Sequence, residues 1–341
     1  MAKSRAQFHI RIFVTPSFNM SATMGFVDPF RAVNYLEGVS LFSWEFVSQN
    51  GGPCVASNLA TIDTDPVTED KNAKDTNLLV ISSSWNPISH GSPKVLSMIR
   101  HAARRGATIV GIDTGAFLVA HAGLLRDRTA TVHYEHIDAF QELFPDTETS
   151  ENLYVFDENI ASCCGGTAST DLALMILLGL HGTTLANAAA RYIFHPGIRK
   201  SGSPQNPQDL EPLGATVPDM IRRGIKIMET NLEEPVSIAD ICNRLNVSQR
   251  QFNRLFAQYI RKRPGLYYRD IRLDRARSLV TQTDMPMSEI AFASGFSSHV
   301  YFSRAYKSRF GLPPNKDRIE GRIPFEFRAW PMHRKSPAQS K

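Results

Sequence analysis

SIADICNRLNVSQRQFNRLF (237–256) and MSEIAFASGFSSHVYFSRAY (287–306) follow one plan. Each opens with a Ser and an acidic residue, Ser237 with Asp240 and Ser288 with Glu289. Hydroxyls and carboxylates suit a helix N-terminus, where backbone amides lack partners. A short helix carrying Ile and Ala follows, then a tight turn at Asn246-Val247 or Gly295-Phe296. A further Ser, Ser248 in the first copy and Ser297 or Ser298 in the second, caps a second helix. That helix repeats large apolar residues at matched places: Phe252, Leu255 and Phe256, then Phe302, Ala305 and Tyr306. Helix, short turn and capped second helix make a helix-turn-helix, whose second helix buries one stripe and turns its other face to a groove.

The outward faces carry groups fit for DNA. Gln249, Arg250, Asn253 and Arg254 lie on the first, and His299, Ser303, Arg304 and Lys307 on the second. Arg matches the acceptors of guanine, Asn matches adenine, and Ser or His serves bases or phosphates. Between the units, residues 265–281 read as one helix about 25 Å long at 1.5 Å per residue. Such a spacer suits two reading helices placed in major-groove segments about 34 Å apart. Helical spacing also covers 219–230, and no strand pattern appears after residue 218.

Charge supports this division. Residues 1–214 hold 15 Lys and Arg against 21 Asp and Glu, whereas residues 215–341 hold 23 against 12. A basic half behind an acidic half points to a polyanionic partner for one half.

Upstream the texture changes. Residues 196–217 are crowded with Pro, Gly, Ser and Asn and read as a linker. Before them, strand-like and helix-like segments alternate. FHIRIFV (8–14), SWEFVSQ (43–49), NLLVISS (77–83) and ATIVGID (107–113) read as strands, the last two as continuous apolar runs buried on both faces. Helices are expected at 28–35, 93–105, 116–122 and 169–180, a turn at Gly51-Gly52-Pro53, and short strands at 129–133 and 153–156. That alternation implies an α/β domain with a parallel sheet. The organisation expected is an α/β domain at 7–195, the linker at 196–217, an all-α tandem helix-turn-helix domain at 218–320, and a basic tail at 321–341 whose last residues are expected to be disordered.

The four cysteines, Cys54, Cys163, Cys164 and Cys242, are too few and too irregular for a disulfide framework, and no Cys/His spacing matches a metal site. No apolar run approaches the roughly 20 residues that span a bilayer. MAKSRAQFHIRIFV lacks a signal-peptide core, so a cytoplasmic protein without membrane contact is expected.

The 237–318 region resembles the AraC/XylS family of DNA-binding domains, whose signature is carried by IAFASGFSSHVYFSRAYKSRFGLPP (290–314). The resemblance places DNA-contacting roles on Arg250, Asn253, Arg254, His299, Ser303 and Arg304. Lys316-Asp317-Arg318 stand where an aromatic-Arg pair is usual. GIDTGAFLVAHAGLL (111–125) resembles the strand-to-helix elbow of DJ-1/PfpI and class I glutamine-amidotransferase proteins. Asp113 occupies the place of that family's nucleophilic cysteine, so no catalytic residue is expected. FVDPFRAVNYLEG (26–38), SNLATIDTD (57–65) and SCCGGTASTDLALMIL (162–177) extend the likeness to GlxA-like regulators.

The resemblance implies a transcription regulator, usually an activator, of amine or amino-acid genes. Its partners would be double-stranded promoter DNA, RNA polymerase, a second copy of itself, and an effector such as arginine, glycine betaine or carnitine. No cofactor is implied. The alternative is a DJ-1-like hydrolase or amidase fused to a DNA-binding domain. Ligands of open α/β sheets bind where strand C-termini converge. The expected effector residues are therefore Ser83, Ser84 and Trp85, Asp113 and Thr114, His133, Tyr134 and Glu135, and Cys163 with Gly165. Asp113 and Glu135 would balance a cation, and Trp85 or Tyr134 would face a quaternary ammonium through cation–π attraction.

Overall fold

The computed structural model describes residues 8–67, 76–205 and 217–320. Residue 7, the 206–216 part of the expected linker, and the tail from 321 lie outside the described residues. The chain divides into two units, Met1–Gln205 and Asn206–Lys341.

In the first unit, apolar strands whose successive side chains point to opposite faces build a sheet covered on both sides. The strands are β1 (Phe8–Val14), β2 (Phe42–Ser48), β3 (Gly52–Val55), β4 (Thr61–Pro66), β5 (Leu78–Ser83), β6 (Thr108–Asp113), β9 (Tyr154–Asp157) and β10 (Ile160–Cys163), in the order β3-β4-β2-β1-β5-β6-β10-β9. β4, β2, β1, β5, β6 and β10 run parallel, and antiparallel β3 and β9 close the two edges. β7 (Thr129–Ala130) and β8 (Glu148–Thr149) form a separate parallel pair. Ile10, Ile12, Val14, Leu78, Val80, Val110 and Ile112 point to one core, with helices α1 (Met20–Glu37), α5 (Ala168–His181) and α6 (Thr183–Tyr192). Phe13, Leu79, Ile81 and Ile109 point to the other, with α2 (Pro93–Arg104), α3 (Gly115–His121) and α4 (Ile137–Leu143).

Several expectations change. The helix expected from Asp28 starts at Met20, because Asn19 caps it, and it carries Pro29 inside. Gly52-Pro53 belong to an edge strand rather than only to a turn. The strand expected at 129–133 stops at Ala130, and His133 caps a short turn of 3-10 helix.

Residues 196–205, expected as linker, are fastened to the first unit. Asp171, on the first turn of α5 and fully buried, accepts from His195 Nε2 at 2.9 Å, Arg199 Nε at 2.8 Å, Arg199 Nη2 at 2.6 Å and the Arg199 amide at 2.9 Å. Gln205 Nε2 donates to Thr131 Oγ1 and the Val132 carbonyl, each at 2.9 Å. The strap satisfies a carboxylate that burial would otherwise make costly.

The second unit is helical throughout its described elements: α7 (Asp219–Glu229), α8 (Ile238–Leu245), α9 (Gln249–Ile260), α10 (Pro264–Gln282), α11 (Met287–Ala293), α12 (His299–Phe310) and α13 (Pro314–Glu320). Two small cores form, one around Phe252, Phe256 and Tyr267 and one around Phe296, Phe302 and Tyr306. The 19-residue α10, about 28 Å long, contributes to both. Arg309 of α12 reaches Asp274 at 2.7 Å and Asp270 at 3.3 Å on α10.

Candidate nucleic-acid interface and effector site

The two helix pairs owe their geometry to local caps. Ser237 opens α8 by accepting from the Asp240 amide at 3.1 Å, and its hydroxyl donates back to Asp240 Oδ2 at 2.6 Å. Ser248 opens α9 by accepting from Gln251 at 3.2 Å, and Ser298 opens α12 by accepting from Tyr301 at 3.3 Å. α11 differs from expectation: Pro286 stands at its cap and Ser288 lies inside the helix. Both turns need a left-handed residue, supplied by Asn246 at φ 54 and Gly295 at φ 74.

Burial separates the two faces of each second helix. Phe252 and Phe256 of α9, and Phe302 and Tyr306 of α12, are fully buried. Arg250, Asn253 and Arg254 are exposed, as are His299 and Arg304. Ser303 is half-buried, on the flank of the outward face rather than at its centre. Asp317, in the Lys316-Asp317-Arg318 departure, is a structural residue. It is 1 % exposed, 2.7 Å from Arg277 Nε, and accepts from Tyr306 Oη at 2.8 Å.

In the α/β unit, strand ends converge on Asp113. Ser83 of β5 pairs in register with Asp113 of β6. Asp113 stands at φ 62, the sharp corner between β6 and α3. α3 starts hard against β5: a Cβ on Gly115 would lie 1.9 Å from the Ile81 carbonyl oxygen. Thr114 Oγ1 donates to the Ser84 carbonyl at 2.6 Å. Gly165, after β10, lies against the carboxyl, since a Cβ there would be 3.1 Å from Asp113 Oδ2. Asn19, missed in the sequence reading, donates from Nδ2 to Asp113 Oδ2 at 3.2 Å. Asn19 follows the C-terminal end of β1, so the strand-end rule applied to every parallel strand would have found it.

Most of this site is a closed floor. Asp113 is 4 %, Ser84 8 %, and Thr114 and Cys163 0 % exposed. Trp85, His133, Tyr134 and Glu135 are half-buried and form the more open side. The Trp85 ring lies 5.9 Å from that of His136, which lies 5.9 Å from His133. His133 and Tyr134 rings are 4.4 Å apart. Cys163 borders Asp113 from the core side of the floor, its Sγ 3.4 Å from Ser169 Oγ.

Electrostatics follow from burial. Desolvation raises the Asp113 carboxyl above its ordinary range, against the downward pull of His133, Asn19 and the Thr114 amide. The Cys163 thiol is pushed up to about 11 by burial, and Cys164 also rises for the same main reason. Neither thiol has the lowered pKa of a reactive nucleophile. Among the described residues, no group of three or more His, Cys, Asp and Glu is placed to hold a metal, and no helix is long and apolar enough to cross a membrane.

Residues 11–178 match the DJ-1/PfpI family, and residues 241–319 match a helix-turn-helix domain. The HTH-type transcriptional regulator CdhR of Pseudomonas aeruginosa is 34% identical over 303 residues, which cover 89% of each protein. The HTH-type transcriptional regulator GlxA of Rhizobium meliloti is 29% identical over 318 residues, 92% of this chain and 97% of that protein. Among solved structures, an AraC family transcriptional regulator from Pseudomonas putida shares the fold with a TM-score of 0.51, at 20% identity, over 55% of this chain and 99% of that one. A DJ-1/PfpI unit joined to paired helix-turn-helix units defines a DNA-binding transcription regulator. The chain belongs to the AraC-type HTH transcriptional regulators, in the GlxA-like branch that carries a DJ-1/PfpI domain.

Proposed function

We propose that the protein is a ligand-responsive activator, in which the α/β unit senses a cationic amine or amino acid and the helical unit reads promoter DNA. The observation that carries the sensing role is Asp113. A carboxyl stands at the elbow where a nucleophile would stand, buried, raised in pKa by that burial, and held by Asn19. Burying an ionised carboxylate is unfavourable unless a partner compensates it. A guanidinium or ammonium effector supplies that partner, with Trp85, Tyr134 and Glu135 on the open side. The same burial argues against turnover, so the unit acts as a sensor and not as a hydrolase or amidase. Arg250, Asn253 and Arg254 read one groove segment, and His299, Ser303 and Arg304 the other. A second copy and RNA polymerase complete the assembly, as the family resemblance implies.

Thermal shift of the full chain with arginine, glycine betaine and carnitine tests the sensing role, because a ligand that binds the folded state raises its stability by mass action. At 100 times its dissociation constant a ligand contributes about 2.7 kcal/mol. A shift with one of them that Asp113→Asn abolishes is expected. Footprinting at the promoter beside its own gene tests the output, and absence of any protected site with every ligand refutes it.

A further inference from the structure

We infer that the two reading helices use different chemistry, and that the second selects thymine by apolar contact through Val300. This rests on the reading that both helices enter the major groove.

Aligning the helices by their caps, Ser248 with Ser298, and by their buried rings, Phe252 with Phe302 and Phe256 with Tyr306, matches Arg250 to Val300. The same register matches Gln251 to Tyr301 and Arg254 to Arg304. At 3.6 residues per turn, positions 300, 304 and 307 lie opposite the buried 302, 305 and 306. Val300 is thus the central side chain of the outward face in the first turn of α12. Among the described large apolar side chains of the helical unit, Phe292, Val300 and Tyr301 are the most exposed, at 60%, 59% and 52%.

Two of those three residues occupy the turn of the helix that lies deepest in a groove. Solvent-facing helix positions are ordinarily polar, and a β-branched residue is a mediocre helix former. Neither packing nor helix propensity accounts for Val300. In the major groove only thymine offers a methyl group, and apolar side chains are its natural complement. Arg304 and Lys307, both exposed and one and two turns further along, supply the positive charge that keeps this face on DNA rather than on an apolar protein surface. Tyr301, its ring 6.1 Å from that of Phe296, flanks Val300 and widens the apolar patch. The first helix presents Arg250 at the same point, which calls for guanine.

The experiment uses the full-length protein. Duplexes bound from a random library are sequenced, and the enriched site is resynthesised with deoxyuridine replacing thymine one position at a time, which removes only the methyl. Wild type is expected to lose about four-fold in affinity per contacted methyl, at one or two positions in one half of the site. Val300→Ala, a solvent-face change, is expected to keep its melting temperature and lose that sensitivity. Val300→Arg is expected to change the preferred base there from thymine to guanine. Equal binding of thymine and uracil duplexes by wild type overturns the inference and leaves the exposed patch to a protein partner. Undiminished uracil sensitivity in Val300→Ala overturns the assignment to Val300. Failure to enrich any site overturns the DNA reading itself and this inference with it.

Discussion

Gly295→Ala should destabilise the helical unit far more than its single added methyl suggests. Gly295 stands at φ 74, and a Cβ there would lie 2.4 Å from the Leu232 carbonyl oxygen and 2.9 Å from two ring carbons of Pro235. The left-handed conformation costs an L-residue about 1–2 kcal/mol. Forcing a methyl into occupied space adds about 1–3 kcal/mol. The carbonyl cannot swing aside cheaply, because the 232–236 loop it belongs to packs into the first small core through Leu232 and Val236. A total of about 2–5 kcal/mol corresponds to a fall of at least about 8 °C in the melting temperature of a unit this size. Calorimetry of the full chain reads that transition. Anisotropy on the selected duplex reads DNA affinity, which should fall as well, since the turn sets α12 against α11. Asn246→Gly is the control: it removes a left-handed side chain from the matching turn and should change stability by less than about 1 kcal/mol. A Gly295→Ala protein melting within about 2 °C of wild type would refute the reasoning.

Arg199→Ala should destabilise the α/β unit by about 2–3 kcal/mol, the low side of a buried ion pair, because Asp171 is fully buried while Arg199 is 41% exposed. Urea unfolding followed through Trp44 and Trp85 measures it, and no change would mean that water replaces the guanidinium. Glu45 predicts an acid limb. His9 and Arg11 hold its carboxyl down to about 2, against a usual 4.5. Its contribution is therefore complete above pH 4.5 and disappears as pH falls towards 2; Glu45→Gln should flatten the stability profile in that window. Asp113 has the opposite sign. With its pKa raised, stability is greatest below the unfolded value and declines as pH rises through the folded one, so Asp113→Asn should melt no lower than wild type at pH 8. Arg254→Ala and Arg304→Ala should each cost about 1–3 kcal/mol at the selected site if the residue reads a base; equal loss on every duplex would indicate phosphate contact instead.

The central strands were legible because Leu78–Ser83 and Thr108–Asp113 are buried on both faces and their apolar runs are unbroken. The edge strand Gly52–Val55 and its neighbour Thr61–Pro66 were not, since strands left largely exposed near a sheet edge tolerate Gly, Pro and Asp. Helix α6 escaped notice because it packs through Ala186, Ala189 and Ala190, small residues that leave little periodic signal. The start of α1 was hidden by the mixed polar and apolar residues of its first turn, Met20 to Thr23, and by Pro29. At the reading helices, caps and buried rings were plain in the sequence, but Val300 was passed over in favour of polar neighbours. At the elbow, Asp113, Thr114 and Ser84 lie together as expected, whereas Asn19 was not anticipated, because the strand-end rule was not carried to β1. The strap at 196–205 looked like a linker because its partners Asp171 and Thr131 are remote in sequence.

The unlike centres of α9 and α12, Arg250 against Val300, give the helical unit a direction. Two identical readers related by a two-fold axis would accept an operator presented in either orientation. A reader that asks for an acceptor edge at one end and a methyl at the other has a head and a tail. Its site on DNA is then asymmetric, an arrow rather than a palindrome, and inverting that site would turn the protein around relative to the gene it faces.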